Sequence, residues 1–321
     1  MPCFDAMHTF KAIAGGIALA VATAALPLQA QAADTTVRIG YQKYGTLILL
    51  KGKGILEKKL TPLGVKVIWT EFPSGPPLLE AINVGAIDFG STGEAPPIFA
   101  QAAGAPLVYV AHEPPAPQGE AILVPRDSPI KSVADLKGKK VALNKGSNVH
   151  YLLVKALEKA GVKYSEIEPV FLAPADARAA FERRSVDAWV IWDPFQAAAE
   201  VATQARTLAD GTGLAPNHQF YLGSQKFVDA NPRVVDALIE SVGEIDAWAK
   251  DNARAVAQEL SPGIGIPAHI LEIALKRQTY GVKPLDQTVV AQQQAIADVF
   301  HQLGLIPKPI SILSSVRKTG S

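Results

Sequence analysis

The chain has 321 residues, with 31 Lys and Arg against 30 Asp and Glu, a formal net charge of +1, and a single cysteine. This balanced charge, with few aromatic residues and no basic stripe, excludes a nucleic-acid-binding protein of the usual kind. The length is sufficient for a large core that needs no disulfides.

The first 32 residues are predicted to be a cleaved secretory signal. Lys11 precedes a small, apolar run over 12–28, and Ala30-Gln31-Ala32 matches the small-x-small cleavage pattern. A single-pass anchor is the alternative, but the run contains Pro27 and ends in a cleavage site rather than a basic stop. Cleavage near Ala32 would also remove Cys3. We therefore expect a soluble periplasmic protein without a thiol or a membrane anchor.

The next part of the chain alternates strand and helix patterns. The predicted strands are 37–41, 65–69, 86–89 and 106–110, and the predicted helices between them are 47–58 and 76–84. Such alternation is typical of a mostly parallel sheet that is covered by helices on both faces.

Gly90-Ser91-Thr92-Gly93 follows the predicted strand 86–89 as a loop and leads into a predicted helix over 97–103. Hydroxyls and unpaired N–H groups at the start of a helix attract an oxyanion. The alternatives are an ordinary turn or helix capping. Since the chain offers no nucleophile or metal-ligand set for this loop, we predict that it holds an anion and does not transform one.

The alternation begins again after a proline-rich stretch at 113–117, which predicts a second lobe. Its predicted strands are 121–125, 140–143, 168–172 and 186–191, with helices at 148–160 and 175–183. From Pro232 onward only helices are predicted, at 234–260, 269–278 and 288–303, and we expect them to pack on the first lobe.

We therefore predict an α/β fold of two lobes with mixed, mostly parallel sheets and a cleft between them. Lobe I is expected to comprise 33–119 and 223–321, and lobe II 120–222. Crossing strands near 120–124 and 218–222 would join the two lobes.

Seven short segments occur in the order found in one known family: RIGYQK (38–43), EAINVG (80–85), GSTGEAPPIFAQA (90–102), SVADLKG (132–138), KGS (145–147), PADARAAF (174–181) and WVIWDP (189–194). Through them the chain resembles the aliphatic sulfonate-binding proteins of ABC importers, within the nitrate/taurine/sulfonate-binding group. Glu94, where Asp is expected, and 148–150 depart from the closest pattern, which leaves the identity of the sulfonate open.

The resemblance implies the fold of a type II periplasmic binding protein, a monomer that captures an alkanesulfonate for sulfur acquisition. It would deliver this ligand to an ABC permease and its ATPase complex, without a cofactor or a metal. The same resemblance implies that Ser91, Thr92 and Gly93 bind the ligand.

Other ligand-binding residues are predicted from their positions after strands. Gln42 and Thr46 follow the first strand, and Ser147 and Asn148 open a helix in the second lobe. An exposed loop glutamine and an N-cap serine are the alternatives for Gln42 and Ser147.

The last candidates lie at a strand end and among the ionisable residues. Trp192 is predicted to form an apolar wall for the carbon tail of a ligand, and Asp193 is a weaker ligand because Asp before Pro is also a standard helix start. Glu94, Glu120 and His150 are weaker candidates still, since structural or surface roles are common for such residues.

Two alternatives to sulfonate binding remain. One is a taurine- or nitrate-binding protein of the same group. The other is an enzyme on the same fold, for which the sequence offers little support because it lacks a Gly-x-Ser-x-Gly elbow, a Walker loop and a His-Glu-x-x-His pair. We therefore predict that the protein is not an enzyme.

Overall fold

The computed structural model describes residues 35–318, so the predicted signal and its cleavage site lie outside the described residues. The strands are β1 (Thr35–Tyr41), β2 (Val65–Glu71), β3 (Phe89–Gly93), β4 (Leu107–His112), β5 (Glu120–Val124), β6 (Lys140–Leu143), β7 (Glu168–Phe171), β8 (Ala188–Trp192), β9 (Arg206–Asp210) and β10 (Gln219–Ser224). The helices are α1 (Thr46–Lys53), α2 (Ile55–Leu60), α3 (Gly75–Asn83), α4 (Ala95–Ala102), α5 (Asn148–Lys159), α6 (Pro174–Glu182), α7 (Phe195–Thr203), α8 (Gln225–Ala230), α9 (Pro232–Asp251), α10 (Ala253–Ile264), α11 (Ala268–Arg277) and α12 (Gln287–Gln302). Within the described chain, no helix is both long and apolar enough to cross a membrane.

The strands form two five-stranded sheets with the same internal plan. The first sheet has the order β2-β1-β3-β10-β4, and the second has the order β7-β6-β8-β5-β9. In the first sheet β1 is parallel to β2 and β3, whereas β10 is antiparallel to both of its neighbours. In the second sheet β5 is the strand that runs antiparallel to its neighbours. The prediction of mixed, mostly parallel sheets is confirmed.

Each sheet with its helices forms one lobe, and the chain crosses between the lobes at 113–119 and again at 211–218. The first lobe contains the first sheet with α1–α4 and α8–α12, and the second lobe contains the second sheet with α5–α7. The predicted return to the first lobe after residue 222 was placed too late, because Gln219–Ser224 already pairs with β3 and β4.

The segment Gly90-Ser91-Thr92-Gly93 is part of a strand and not the loop that the sequence predicted. It lies within β3, where Ser91 is the register partner of Tyr221 and Thr92 that of Phe220. The predicted strand at 86–89 was wrong for the same reason, because pairing with the distant β10 carries β3 on to Gly93. Helix α4 accordingly starts at Ala95 rather than at 97.

The C-terminal helices pack on the first lobe, as predicted. Buried residues of α9, α10 and α11 join β1, α1 and α2 in one apolar cluster. Helix α12 joins α3 and α4 in a second cluster, and the second lobe has its own core around β5, β6, β8 and α5. The three clusters hold the ends of the central strands in fixed positions.

Phe300 in α12 links the two lobes and provides a test of this packing. Its ring is fully buried, with centroids 5.0 Å from Phe99, 5.7 Å from His150 and 5.9 Å from Tyr151. We expect Phe300→Ala to lower the free energy of unfolding by about 3–5 kcal/mol because it leaves a cavity. Urea unfolding measures this change. Leu313→Ala, at a side chain that is 70% exposed, should change it by less than about 0.5 kcal/mol.

Candidate functional site

A cavity of about 240 Å³ lies between the two lobes, at the carboxyl ends of strands from both sheets. The first lobe lines it with 42–44 after β1 and 71–73 at the end of β2. The second lobe lines it with 173–175, Trp192 and Phe195. Carboxyl ends of strands are where open α/β sheets bind their ligands. Gln42 and Trp192, both predicted site residues, therefore share one cavity.

Two helices begin at this cavity. Helix α3 starts directly after Ser74, which is buried and follows the lining residue Pro73, and α6 starts at the lining residue Pro174. The first N–H groups of a helix lack intrahelical partners and carry partial positive charge. Because Pro76, Pro77 and Pro174 have no N–H, each helix start offers only part of this set. The donors that remain are the N–H groups of Ser74 and Gly75 in the first lobe and of Ala175 and Asp176 in the second.

Aromatic side chains give one side of the cavity an apolar wall. Trp192 lies at the end of β8 with 4% of its surface exposed, and its ring meets that of Phe195 edge-to-face at 6.3 Å. Lys43 and Glu71 supply charges to the lining, and their side chains lie 3.9 Å apart. A ligand with an anionic head and a short apolar tail is complementary to this lining.

Ser91 lies directly behind the wall that Gln42 forms. The Gln42 amide Nε2 donates a hydrogen bond to the Ser91 carbonyl at 3.0 Å. The Ser91 hydroxyl has no hydrogen-bond partner among residues 35–318 and thus keeps its proton available. Strand β3 and the cavity are therefore in contact through one residue.

Three other predicted hydroxyl donors are engaged elsewhere. Thr46 donates to the Asp246 carboxylate at 2.8 Å, Ser147 donates to the Asn144 carbonyl at 2.7 Å, and Thr92 donates to the next carbonyl at 2.9 Å. Because a hydroxyl has a single proton, none of the three donates to an anion in this arrangement. A ligand contact through their backbone N–H groups stays a prediction.

Asp193 takes the structural role that was its alternative. Its Oδ1 accepts the N–H of Ala197 at 3.0 Å in the first turn of α7, and it lies 3.5 Å from the Arg277 guanidinium. Arg277 also pairs with Glu200 at 2.5 Å. Burial raises the pKa of Asp193 to about 7, against the opposing effect of Arg277. The carboxyl group thus ties α11 to the second lobe.

His150 is fully buried and lies outside the lining of the cavity. Its Nδ1 accepts the N–H of Gly146 at 3.3 Å, so Nε2 carries the proton and donates to the Tyr164 hydroxyl at 2.9 Å. The ring stacks on Phe99. Burial and the positive charge of Lys145 lower its pKa to about 4, which keeps the imidazole neutral.

Glu94, Glu120 and Asn148 meet at the boundary between the lobes. The Asn148 amide donates to Glu120 Oε2 at 2.6 Å and to Asn217 Oδ1 at 3.0 Å. Glu94 Oε2 accepts the backbone N–H of His218 at 3.1 Å. Both glutamates are fully buried.

Sequence reasoning missed several residues at the cavity, namely Tyr44, Phe72, Ser74, Pro174 and Phe195. A signal for Ser74 was present, because Ser before Gly-Pro-Pro at the end of a strand is a helix-start pattern. The aromatic residues carried no such signal, since their side chains could equally face a core.

A larger groove of about 770 Å³ runs between α5 and α12 on the outside of the lobes. Its lining, which includes Val154, Tyr164 and Leu303, contains no residue of a strand. The smaller cavity is therefore the better candidate site.

Comparisons with known proteins agree with this geometry. The family model described as NMT1/THI5 like matches residues 64–252. A protein of Escherichia coli (strain K12) that is named for binding aliphatic sulfonates is 46% identical, over 88% of this chain and 89% of that protein.

Two solved structures share the fold at high identity. The alkanesulfonate-binding protein SsuA from Xanthomonas axonopodis pv. citri, bound to MOPS, is 41% identical with a TM-score of 0.85, over 89% of this chain and 99% of that one. The periplasmic aliphatic sulphonate binding protein SsuA from E. coli is 44% identical with a TM-score of 0.81, over 90% and 94%.

Gly93 provides a test of how the lobes meet. A Cβ atom at this position would lie 2.8 Å from Cβ of Asn148 across the lobe boundary. We expect Gly93→Ala to displace Asn148 and to cost about 1–3 kcal/mol through overpacking, unless the lobes separate. Thermal unfolding and small-angle X-ray scattering would show lower stability or a larger radius of gyration. Gly263→Ala, in α10, where an added Cβ meets nothing within 4 Å, is the control: it should leave the radius of gyration unchanged and should not lower stability, since alanine in a helix is favoured over glycine by about 0.5–1 kcal/mol.

Proposed function

The chain belongs to the NMT1/THI5-like family, and we propose that it is the periplasmic substrate-binding component of an ABC importer that captures aliphatic sulfonates. The cavity between the lobes supports this proposal most directly. It combines two helix starts, one from each lobe, with an aromatic wall at Trp192 and Phe195.

A sulfonate head suits the polar half of the cavity. Its three oxygens share one negative charge and accept several N–H and O–H hydrogen bonds without needing a full salt bridge. Gln42 lines the cavity, and the hydroxyls of Ser74 and Ser91 next to its lining are the further side-chain donors that we assign to this head. Nitrate and sulfate have no tail, so the aromatic wall would contribute nothing to their binding.

The cavity volume favours a small ligand. About 240 Å³ is below the usual 300–1,000 Å³ of pockets for drug-sized molecules. MOPS, which is bound to the Xanthomonas relative, is itself a sulfonate with a ring at the end of a short chain. A short or medium alkanesulfonate is therefore the ligand class that we propose here.

Capture requires closure of the lobes and no covalent chemistry. Because the two helix starts belong to different lobes, a ligand contacts both only in the closed state and stabilises it. Docking on the permease, with its ATPase complex, would favour the open state and release the ligand. Export by a cleaved signal and action as a monomer belong to the same proposal, as does a role in sulfur acquisition.

A panel of anions tests the ligand class. We expect ethanesulfonate and longer alkanesulfonates to bind the purified protein, because they match both halves of the cavity. Isothermal titration calorimetry with ethanesulfonate, pentanesulfonate, MOPS, taurine, sulfate and nitrate gives the order of affinities. Binding of nitrate or sulfate alone would contradict the proposal, and a clear preference for taurine would move it to the alternative within the same group.

Two serine variants test the assignment of donors. Ser91→Ala should weaken sulfonate binding roughly ten- to a hundred-fold, because a hydrogen bond to a charged group contributes about 1.5–3 kcal/mol. Ser147→Ala is the matched control: its hydroxyl proton is donated to Asn144, so its loss should weaken binding by less. Equal effects, measured by calorimetry at one pH, would remove Ser91 from the site.

A further inference from the structure

Glu94 and Glu120 lie on opposite sides of the lobe boundary. Glu94 precedes α4 in the first lobe, and Glu120 begins β5 in the second lobe. Asn148 holds them close, since its side chain packs against Gly93, next to Glu94, and donates to Glu120 Oε2 at 2.6 Å. The two carboxyl groups come together only when the lobes do.

Each carboxyl group lacks a hydrogen-bond partner for one oxygen. Glu94 Oε1 and Glu120 Oε1 are buried and have no partner among residues 35–318. An ionised carboxylate in such a place is strongly disfavoured, because it loses hydration without a compensating cation. A neutral carboxylic acid is tolerated far better and can donate a hydrogen bond.

The groups around the pair supply no compensating positive charge. Asn148, Asn217 and Gln293 are neutral amides from α5, the second crossing and α12. His218 offers its backbone N–H, while its imidazole nitrogens contact the Glu113 carbonyl and Gln292.

The ionisable neighbours on the other elements are acids. Asp210 in β9 acts on Glu120, Tyr151 in α5 is affected by Glu94, and Tyr44 is affected by Glu120. The charge of Asp210 favours the neutral form of Glu120, whereas burial raises the pKa of both tyrosines and keeps them uncharged between pH 6 and 8.

We propose that Glu94 and Glu120 form a proton-binding site that is assembled by lobe closure, so that sulfonate capture is coupled to uptake of protons from water. This proposal rests on the proposed function for the identity of the ligand. The protonation of the two carboxyl groups does not depend on which ligand is bound. Its geometric basis is the pair of buried, unpartnered oxygens on different lobes, with Asn148 in contact with Gly93 on one side and Glu120 on the other.

The direction of the coupling follows from the shifts in pKa. Burial raises the pKa of Glu94 to about 8 and raises that of Glu120 well above its usual range, with the charge of Glu94 as a further cause. In an open state that exposes both groups, each would titrate near its usual value of about 4.3. The contribution to the closed state is therefore fully present below that value and is lost as pH rises towards the closed-state pKa.

Sulfonate affinity should accordingly fall as pH rises from 6 to 8, by up to about ten-fold per pH unit for each proton taken up. Glu94→Gln should flatten this dependence in part, and Glu94→Gln with Glu120→Gln should abolish it. Because glutamine is neutral at every pH, the double variant should bind the same sulfonate more tightly than wild type at pH 8. Glu80→Gln, at an exposed acid of the first lobe, is the control and should behave as wild type.

Calorimetry with ethanesulfonate at pH 6, 7 and 8, in buffers of different ionisation enthalpy, measures both the affinity and the protons taken up. Infrared difference spectra of wild type with minus without ethanesulfonate, with the double variant as the reference, measure the carbonyl band of the carboxylic acid that forms on closure. We expect ethanesulfonate to produce that band at pH 7 and the band to be lost as pH rises above 8.

Absence of the band at pH 7, or identical pH dependence in wild type and the double variant, would overturn the proton site. Failure of every sulfonate to bind at every pH would overturn the proposed function instead. In that case small-angle X-ray scattering of the free protein decides on the proton site, which predicts a smaller radius of gyration at pH 5 than at pH 8 in wild type and no such change in the double variant.

Discussion

Polar groups are buried where the chain crosses between the sheets, and they have to form their hydrogen bonds with one another. The rest of the structure depends on this constraint. Asn148 donates to Glu120 and to Asn217, and Asn217 in turn donates to the Ala116 carbonyl at 2.8 Å. These hydrogen bonds join the start of α5 to both crossings. For a buried group, a lost hydrogen-bond partner costs about 1–3 kcal/mol, so the network has few arrangements of low energy. A two-state hinge needs such discrete arrangements.

The C-terminal helices extend this constraint to the outside of the hinge. Helix α11 belongs to the core of the first lobe, yet Arg277 at its end pairs with Asp193 and Glu200 of the second lobe. Opening of the lobes therefore has to break or stretch an ion pair that is partly buried. The aromatic wall at Trp192 lies one residue before Asp193, which places the ligand and this ion pair on the same strand end.

Local patterns predicted most of the fold, and distant partners account for what they missed. The runs at 37–41, 65–69 and 140–143 are strands because their apolar residues suit a buried sheet by themselves. Gly90-Ser91-Thr92-Gly93 has low strand propensity and became a strand through pairing with β10, some 130 residues later in the chain.

The same limit applies to the candidate site. Gln42 and Trp192 were predicted from positions after strands, and both line the cavity. That Thr46 donates to Asp246 cannot be read from the sequence, because nothing near Thr46 indicates an acceptor 200 residues away. The family prediction did not depend on such contacts and is confirmed by the relatives.

The position of β10 also limits the order in which the polypeptide can fold. This strand lies between β3 and β4, so the first sheet cannot be completed until residue 224 is present, whereas all strands of the second sheet lie within 120–210. Contacts between segments this far apart in sequence form slowly. During synthesis the second lobe can thus acquire its structure first, and the N-terminal half of the first lobe has to wait for β10, the interior strand that joins β3 to β4.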